Sequence, residues 1–354
     1  MEFLRNTWYI AGWASSFTQT MVSRIFLDEP IVLFRNAGGT IRALKDRCPH
    51  RFVPLHLGTL EGDQIRCRYH GLVFNDQGMC VHNPHGDGLV PRAACVHAYP
   101  VAERHGFAWI WMGDPALADT GLVPDFSGFD PASHYVGQDY LHVKANYQLE
   151  TDNILDLSHI EFLHQSSLGS DEVAKGQIEV VQNGNVVHSK RFTQGERLTE
   201  ELERLRGVPP GQAVDRWLDV RWNAPANMLL TTGFTPTGQA RDAGREVQVA
   251  HVFTPETQAT THYWFGISFP KSLGDNGRAL AAQNIEWLRK PFETEDLPVL
   301  QAQQVAMGER DFWSMKPVLL PSDGAGVRAR RLLQSMIRSE NAVQEDAAAI
   351  STAS

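Results

Sequence analysis

The chain has 354 residues, 42% hydrophobic and 21% charged, with a formal net charge of −9 at pH 7. This length supports two or three domains with real cores, and the composition is that of an ordinary globular protein. The acidic balance argues against nucleic acid, whose phosphates it would repel, and no apolar run approaches a membrane span.

The N-terminal stretch MEFLRNTWYIAGWASSF is too polar and too tryptophan-rich for a secretory signal. Of the four cysteines, Cys48 and Cys67 stand inside histidine-bearing motifs. That usage reads as metal ligation rather than a disulfide framework, and a cytoplasmic location is expected. Cys80 and Cys95 have no partner at metal-ligand spacing and are expected to be small buried apolar residues. Residues 8–45 carry short β-rich runs, with Gly38-Gly39 marking a hairpin between EPIVLFRN and IRALKD. The texture continues through LVFNDQGMCVHN, VHAYPVAERHG and FAWIWMGD, with no amphipathic helix before about residue 115.

Inside this β-rich third lie Cys48-x-His50, sixteen intervening residues, and Cys67-x-x-His70. Two Cys and two His serve either zinc or a [2Fe–2S] cluster in which His₂ replaces Cys₂ on one iron. A zinc finger pairs its cysteines in one half and its histidines in the other, whereas here each half supplies one of each. That pattern favours two similar loops gripping a cluster from opposite sides. Lys45, Arg47, Arg51, Arg66 and Arg68 crowd both loops. As a group they suggest a docking face for an acidic redox partner, against a solvated surface offsetting Asp46, Glu61 and Asp63. His82 and His85 read as part of a loop beside the motif.

Residues 113–133 are rich in Gly, Pro, Ser and Asp, as an irregular connection is. YLHVKANYQLE then reads as a strand, and DNILDLSHIEFLH over 152–164 as a largely buried helix opening at Asp152 or Asn153. Asp156 and His159 share a face of that helix, while His164 stands roughly 140° around from His159. Two histidines and a carboxylate on a buried helix suit a non-haem iron site with open positions, against two core histidines with backbone partners. Local spacing alone favours Asp156 as the carboxylate. Beyond it come a hairpin across Asn183-Gly184 and a charged helix in ERLTEELERLRGVPPG. Three strand-rich stretches suggest an antiparallel sheet between residues 215 and 270. A helical stretch over 277–308 is interrupted by Pro291 and Pro298. VRARRLLQSMIRSEN reads as an amphipathic helix, and QEDAAAISTAS as a frayed end.

CPHR and CRYHG resemble the Rieske motif. With DNILDLSHIEFLH downstream, the order of motifs is similar to that of the oxygenase components of Rieske non-haem iron oxygenases. RNTWYIAGW, CVHNPHG and GDPALAD narrow the resemblance to the vanillate O-demethylase, toluenesulfonate methyl-monooxygenase and dicamba monooxygenase group, over essentially the whole chain. It implies an α+β protein. An antiparallel β Rieske [2Fe–2S] domain spans 1–115 and a linker 116–135. The catalytic domain spans 136–354, with an antiparallel sheet flanked by helices carrying mononuclear iron.

By the same resemblance, Cys48, His50, Cys67 and His70 hold the cluster. His159 and His164 hold Fe2+ with Asp296 in FETEDLPVL, in place of Asp156. Glu293 and Glu295 are chemical rivals, and a helix N-cap before Leu297-Pro298 is the competing account of Asp296. Asp156 becomes the electron bridge from His159 to His70 of the partner subunit, which requires an oligomer, by family expectation a homotrimer. Asn153 is expected near the iron. His251 and Trp287 match pocket positions that hydrogen-bond a substrate carboxylate in relatives, and Leu230 replaces a third, an Asn there.

The implied activity is that of a terminal oxygenase, consuming O2 and electrons that originate in NAD(P)H. A separate flavin/[2Fe–2S] reductase or a ferredoxin delivers them, since this chain has no dinucleotide glycine fingerprint. The substrate class is a small aromatic, with O-demethylation of a methoxylated aromatic acid first. Hydroxylation of a ring or methyl group, including cis-dihydroxylation, stays open. From other classes, a Rieske electron carrier without its own chemistry and a structural zinc protein remain alternatives.

Overall fold

The computed structural model describes residues 3–352, with a division into two compact units, Arg5–Val123 and a larger one from Pro124 onward. The division falls inside the stretch read as a linker.

The N-terminal unit is built from three small antiparallel sheets, and its only helical segments are single 3₁₀ turns. In the first, Trp8–Trp13 pairs with Phe107–Trp111, both strands buried along their whole length. Their aromatic side chains pack on one another, Trp8 on Trp111 and Trp13 on Phe107. In the second, Glu29–Arg35 and Ile41–Lys45 form the hairpin that Gly38-Gly39 announces. The third contains Gln64–Arg66 and Val73–Phe74. One histidine-bearing loop follows Ile41–Lys45, and the other joins Gln64–Arg66 to Val73–Phe74.

The larger unit is organised on a seven-stranded antiparallel sheet. Its strands run in the order His134–Val143, Thr261–Pro270, Arg245–Pro255, Asn227–Pro236, Val214–Asn223, Val186–Glu196, Gln177–Asn183. Thr261–Pro270 is buried on both faces up to its last residue, as expected of a central strand rich in aromatic and β-branched residues. Helix α1 (Tyr147–Leu155), begun by the Asn146 cap, packs on Arg245–Pro255 and on the long α6 (Gly324–Thr352). The Nε–H of Arg330 of α6 is shared between the two carboxylate oxygens of Asp152 of α1, at 2.9 and 2.7 Å. Two short helices follow α1, namely α2 (Ile160–Leu163) and α3 (Glu200–Arg206). Helix α4 (Asp275–Pro291) lies on His134–Val143 and Thr261–Pro270, and α5 (Leu297–Met307) continues beyond it. The close approach of α4 uses Gly137, where a Cβ would stand 2.4 Å from the Ala281 carbonyl oxygen.

Four expectations are corrected. The strand stops at Val143, because Asn146 caps a helix and NYQLE is already its first turns. No single helix spans 152–164: α1 ends at Leu155, Asp156 adopts φ −119°, ψ 89°, and a 3₁₀ turn at Leu157–His159 leads into α2. Pro291 and Pro298 do not interrupt the helical stretch, because a π turn at Phe292–Asp296 joins α4 to α5 and Pro298 falls in the first turn of α5. The C-terminal stretch is helical to Thr352 rather than frayed, while Ala353 and Ser354 lie outside the described residues.

Candidate metal centres

The two histidine-bearing loops repeat one backbone design. Cys48 N–H donates to the Val53 carbonyl and Phe52 N–H to the Cys48 carbonyl. Cys67 N–H donates to Leu72, and Gly71 N–H to Cys67. The fourth residue after each cysteine, Phe52 or Gly71, has positive φ. Both cysteines are rooted in the apolar core with Leu44, Leu55, Ile65 and Phe74. His50 is exposed, His70 is half-buried, and their rings stand 4.5 Å apart. The His85 ring holds the His70 carbonyl at 2.8 Å, so the CVHNPHG loop braces the second half of the site.

The donors therefore pair thiol with thiol and imidazole with imidazole. Burial, and then the adjacent Cys67 sulfur, push the Cys48 thiol up to about 11, against backbone N–H groups of His50 and Arg51 that favour the thiolate. Two thiols held together in a core are a poor resting place for negative charge unless a cation joins them. Among the described residues, the donors that converge within 4.8 Å, as one ion requires, are those of the second site alone. Spacing in these loops thus fits a two-iron cluster better than one tetrahedral zinc.

That second site is His159, His164 and Asp296. His159 Nε2 lies 3.5 Å from Asp296 Oδ1, and His164 Nε2 lies 3.2 Å from Asp296 Oδ2. The break at Asp156 supplies the bend that an unbroken helix lacks, and the π turn carries Asp296 across from the other side. Asp296 makes no N-cap bond, so the capping account of it fails. His159 Nδ1–H donates to the Asp156 carbonyl at 2.8 Å, and His164 Nδ1–H to Glu295 Oε2 at 2.5 Å. Both bonds leave Nε2 with its lone pair aimed at the site, as metal-binding histidines require. Asn153 Nδ2 holds Asp296 Oδ1 at 3.0 Å, and Ser167 steadies Glu295 at 2.8 Å. Burial lowers the His159 pKa. Burial also opposes charge on His164, but Asp296 and Glu295 outweigh it and raise that pKa. Three donors with open positions suit a non-haem iron centre.

Asp156 corrects the expected side-chain bond to His159, which goes to its backbone carbonyl instead. The Asp156 carboxylate takes Ser158 N–H at 3.0 Å, Ser158 O–H at 2.6 Å and Arg191 at 3.3 Å, because it caps the 3₁₀ turn.

His159, His164 and Asp296 open on a cavity of about 590 Å³ walled mainly by Leu, Val, Ile and Phe side chains, with Leu230 and His251 in its lining. His251 Nδ1 is bonded to the Tyr263 hydroxyl at 2.7 Å, its Nε2 has no partner among the described residues, and burial holds its pKa down to about 4. Trp287 is corrected: it is not in this lining but packs on Leu198, Leu202, Val208 and Val214, on the α3 side of α4. Cys80 is buried as expected, whereas Cys95 is exposed. Of the basic residues near the loops, Arg66 is paired with Glu61 and Lys45 lies 3.8 Å from Glu29. Arg47, Arg51 and Arg68 are exposed.

Comparison with known proteins gives the same two-part division. The profile of the Rieske [2Fe–2S] domain matches residues 7–100, and that of the vanillate O-demethylase oxygenase C-terminal domain matches residues 143–339. The chain belongs to this family. It is 36% identical to the oxygenase component of dicamba O-demethylase from Stenotrophomonas maltophilia, over 97% of this chain and 100% of that one. It is also 36% identical to the oxygenase component of chloroacetanilide N-alkylformylase from Rhizorhabdus wittichii, over 96% and 97% of the two chains. A crystal structure of dicamba monooxygenase bound to 3,6-dichlorosalicylic acid matches with a TM-score of 0.89 at 34% identity, covering 97% of this chain and 100% of that one.

The protein is accordingly the oxygenase component of a Rieske monooxygenase system, an oxidoreductase with a [2Fe–2S] cluster and mononuclear iron. As a vanillate O-demethylase family oxygenase it works with a separate electron donor. Sequence reading missed Glu295 as the partner of His164, and also Arg206 and Asn284 in the cavity wall. For Glu295 a signal existed, an acid beside the expected ligand. For the other two, only the folded chain brings α3 and α4 to one cavity.

Proposed function

We propose that this oxygenase demethylates a methoxylated aromatic acid. Cys48, His50, Cys67 and His70 hold its cluster, and His159, His164 and Asp296 its iron. The observation that carries the reading is the convergence of those last three side chains on an apolar-walled cavity large enough for an aromatic ligand. Support also comes from the family, whose name and relatives include O-demethylases. When bound, the cluster supplies single electrons and the iron supplies O2 activation.

The residues of the chain do the rest. Glu295 and the Asp156 carbonyl fix the two imidazoles, Asn153 fixes the carboxylate, and the leucine-rich wall keeps bulk water from the reacting carbon. One oxygen atom from O2 enters a C–H bond of the methoxy group, and the other leaves as water with two electrons from the donor and two protons from solvent. The hemiacetal so formed collapses to a phenol and formaldehyde. His251 and Leu230 shape the substrate's surroundings. Asp156 acts as the electron bridge toward His70 of the partner subunit, in a homotrimer located in the cytoplasm. The donor is a flavin/[2Fe–2S] reductase or ferredoxin of acidic surface, drawn to Arg47, Arg51 and Arg68.

Turnover with a surrogate reductase and a panel of methoxylated aromatic acids tests the activity. Formaldehyde is expected from the wild type and none from His159→Ala, while the cluster of the variant still accepts electrons. Hydroxylated products with the methoxy group intact would replace demethylation by hydroxylation.

A further inference from the structure

The cavity beside the iron site contains a cation that the mechanism above leaves without a task. Arg206, the last residue of α3, lines it. Its charged neighbour is another cation, Arg216; burial first, and then Arg216, lower its pKa to about 10, so it is charged at neutral pH. Arg216 has its own counter-charge, the buried Glu196 carboxylate at 2.8 Å, and also donates to the Leu168 carbonyl at 3.1 Å. Nearby acids are committed elsewhere, Glu203 to the Gly211 N–H at 2.7 Å and Glu246 to Arg241 at 2.8 Å. Among the described residues, no carboxylate pairs with Arg206. A half-buried cation facing an apolar wall without a counter-ion is unfavourable, and a ligand anion would relieve it.

The same cavity holds a second polar side chain with unused bonding capacity. Asn284 is 1% exposed and lines the cavity, and its Oδ1 has no partner while its Nδ2 holds the Leu280 carbonyl. On the helical stretch that ends in Asp296 it stands twelve positions earlier, roughly 18 Å at 1.5 Å per residue. Trp287, one turn from Asn284, packs on the apolar cluster that contains Leu202 of α3, the helix that ends in Arg206. Leu218, Leu230, Val249 and Leu288 supply apolar wall, and the third arginine of the lining, Arg245, is exposed where Arg206 is half-buried. His251, by contrast, is a neutral ring at neutral pH and offers an anion no charge.

We propose that Arg206 is the anion anchor of the substrate pocket. The cavity takes an elongated aromatic whose carboxylate or sulfonate pairs with the Arg206 guanidinium at the α3 end, while the carbon to be oxidised lies at the His159–His164–Asp296 end. Asn284 Oδ1 accepts from a hydroxyl where such a ligand carries one, and takes no part in holding the anion. This deepens, and rests on, the reading of the protein as an oxygenase of aromatic acids.

Binding of 4′-methoxybiphenyl-4-carboxylate and of its methyl ester to the oxidised, iron-replete holoenzyme tests the assignment. The carboxylate should bind about tenfold more tightly than the ester, the worth of one charge-assisted pair. Arg206→Met should abolish that preference by weakening the carboxylate alone, and Arg206→Lys should keep most of it. The unchanged ester affinity of Arg206→Met reports an intact cavity. A wild type that does not prefer the carboxylate, or a preference that survives Arg206→Met, overturns the proposal. Equal loss of both ligands marks Arg206 as structural and overturns it too. Formaldehyde is measured on the same samples: a preserved preference without formaldehyde sinks the demethylation reading and leaves the anchor standing.

Discussion

His164 sits between two consecutive acids, Glu295 on Nδ1 and Asp296 on Nε2. The first bond fixes the tautomer and makes the ring a stronger donor at its other nitrogen. Glu295→Gln should therefore weaken mononuclear iron binding by about 10- to 100-fold, the usual worth of such an outer partner. Iron titration of the apoprotein checks this, with unchanged cluster absorbance as the control. His251 gives a second prediction, because burial lowers its pKa from 6.5 to about 4. Between those values the unfolded chain binds the proton and the folded chain does not, so stability rises with pH across that window and falls on acidification. The whole effect is about 3 kcal/mol, lost progressively from pH 6.5 down to about 4. Urea unfolding at pH 7 and pH 5 should show a smaller loss in His251→Gln than in wild type. At this scale, the four proposed cluster ligands were legible because each pair sits within one short loop. Asp296 was reachable only through the family resemblance, since some 130 residues separate it from His164 and spacing carries no information over such a distance.

The break after α1 places both histidines of the second candidate site, and a small residue secures its far end. Gly169 N–H donates to the His164 carbonyl at 2.8 Å, and a Cβ at Gly169 would stand 2.5 Å from the Ile160 carbonyl and 2.8 Å from that of His164. Gly169→Ala should push the His164 turn outward and lower iron occupancy while leaving the cluster's visible spectrum intact. Metal analysis beside that spectrum decides the matter. The sheet strands and the Asn183-Gly184 hairpin were readable because alternation and turn chemistry are local. The break was not, because Asp156 trades helical geometry for a cap on Ser158, and the apolar run around it fits a continuous helix equally well. Nor were the prolines decisive: their cost depends on which carbonyl loses its partner, and the π turn changes that pairing.

For the molecule as a whole, the two compact units correspond to the Rieske and the oxygenase C-terminal domains, and Asp156 is the residue proposed to receive electrons from the cluster of a partner subunit. Asp156→Asn should leave reduction of the cluster by the donor intact while slowing product formation by orders of magnitude, as stopped-flow reduction and product assays on one preparation would show. Loss of both would point to a folding role through the Ser158 cap. Turnover with the native donor should also fall with ionic strength if Arg47, Arg51 and Arg68 steer the encounter. The division into a β-rich front and an α+β rear was legible from texture and motif order, whereas the cavity was not, since its wall is gathered from six separate stretches between residues 153 and 296. One local feature has the widest reach. A π turn amounts to one residue inserted in an α-helix, and removing it would rotate everything beyond by about 100°. Deleting Thr294 would then turn Asp296 away from His159 and His164 while α4 kept its side of the cavity. The product would be a receptor for the substrate that carries electrons but cannot spend them on oxygen, separated from the enzyme by a shift of reading phase along one helix rather than by any change of residue type.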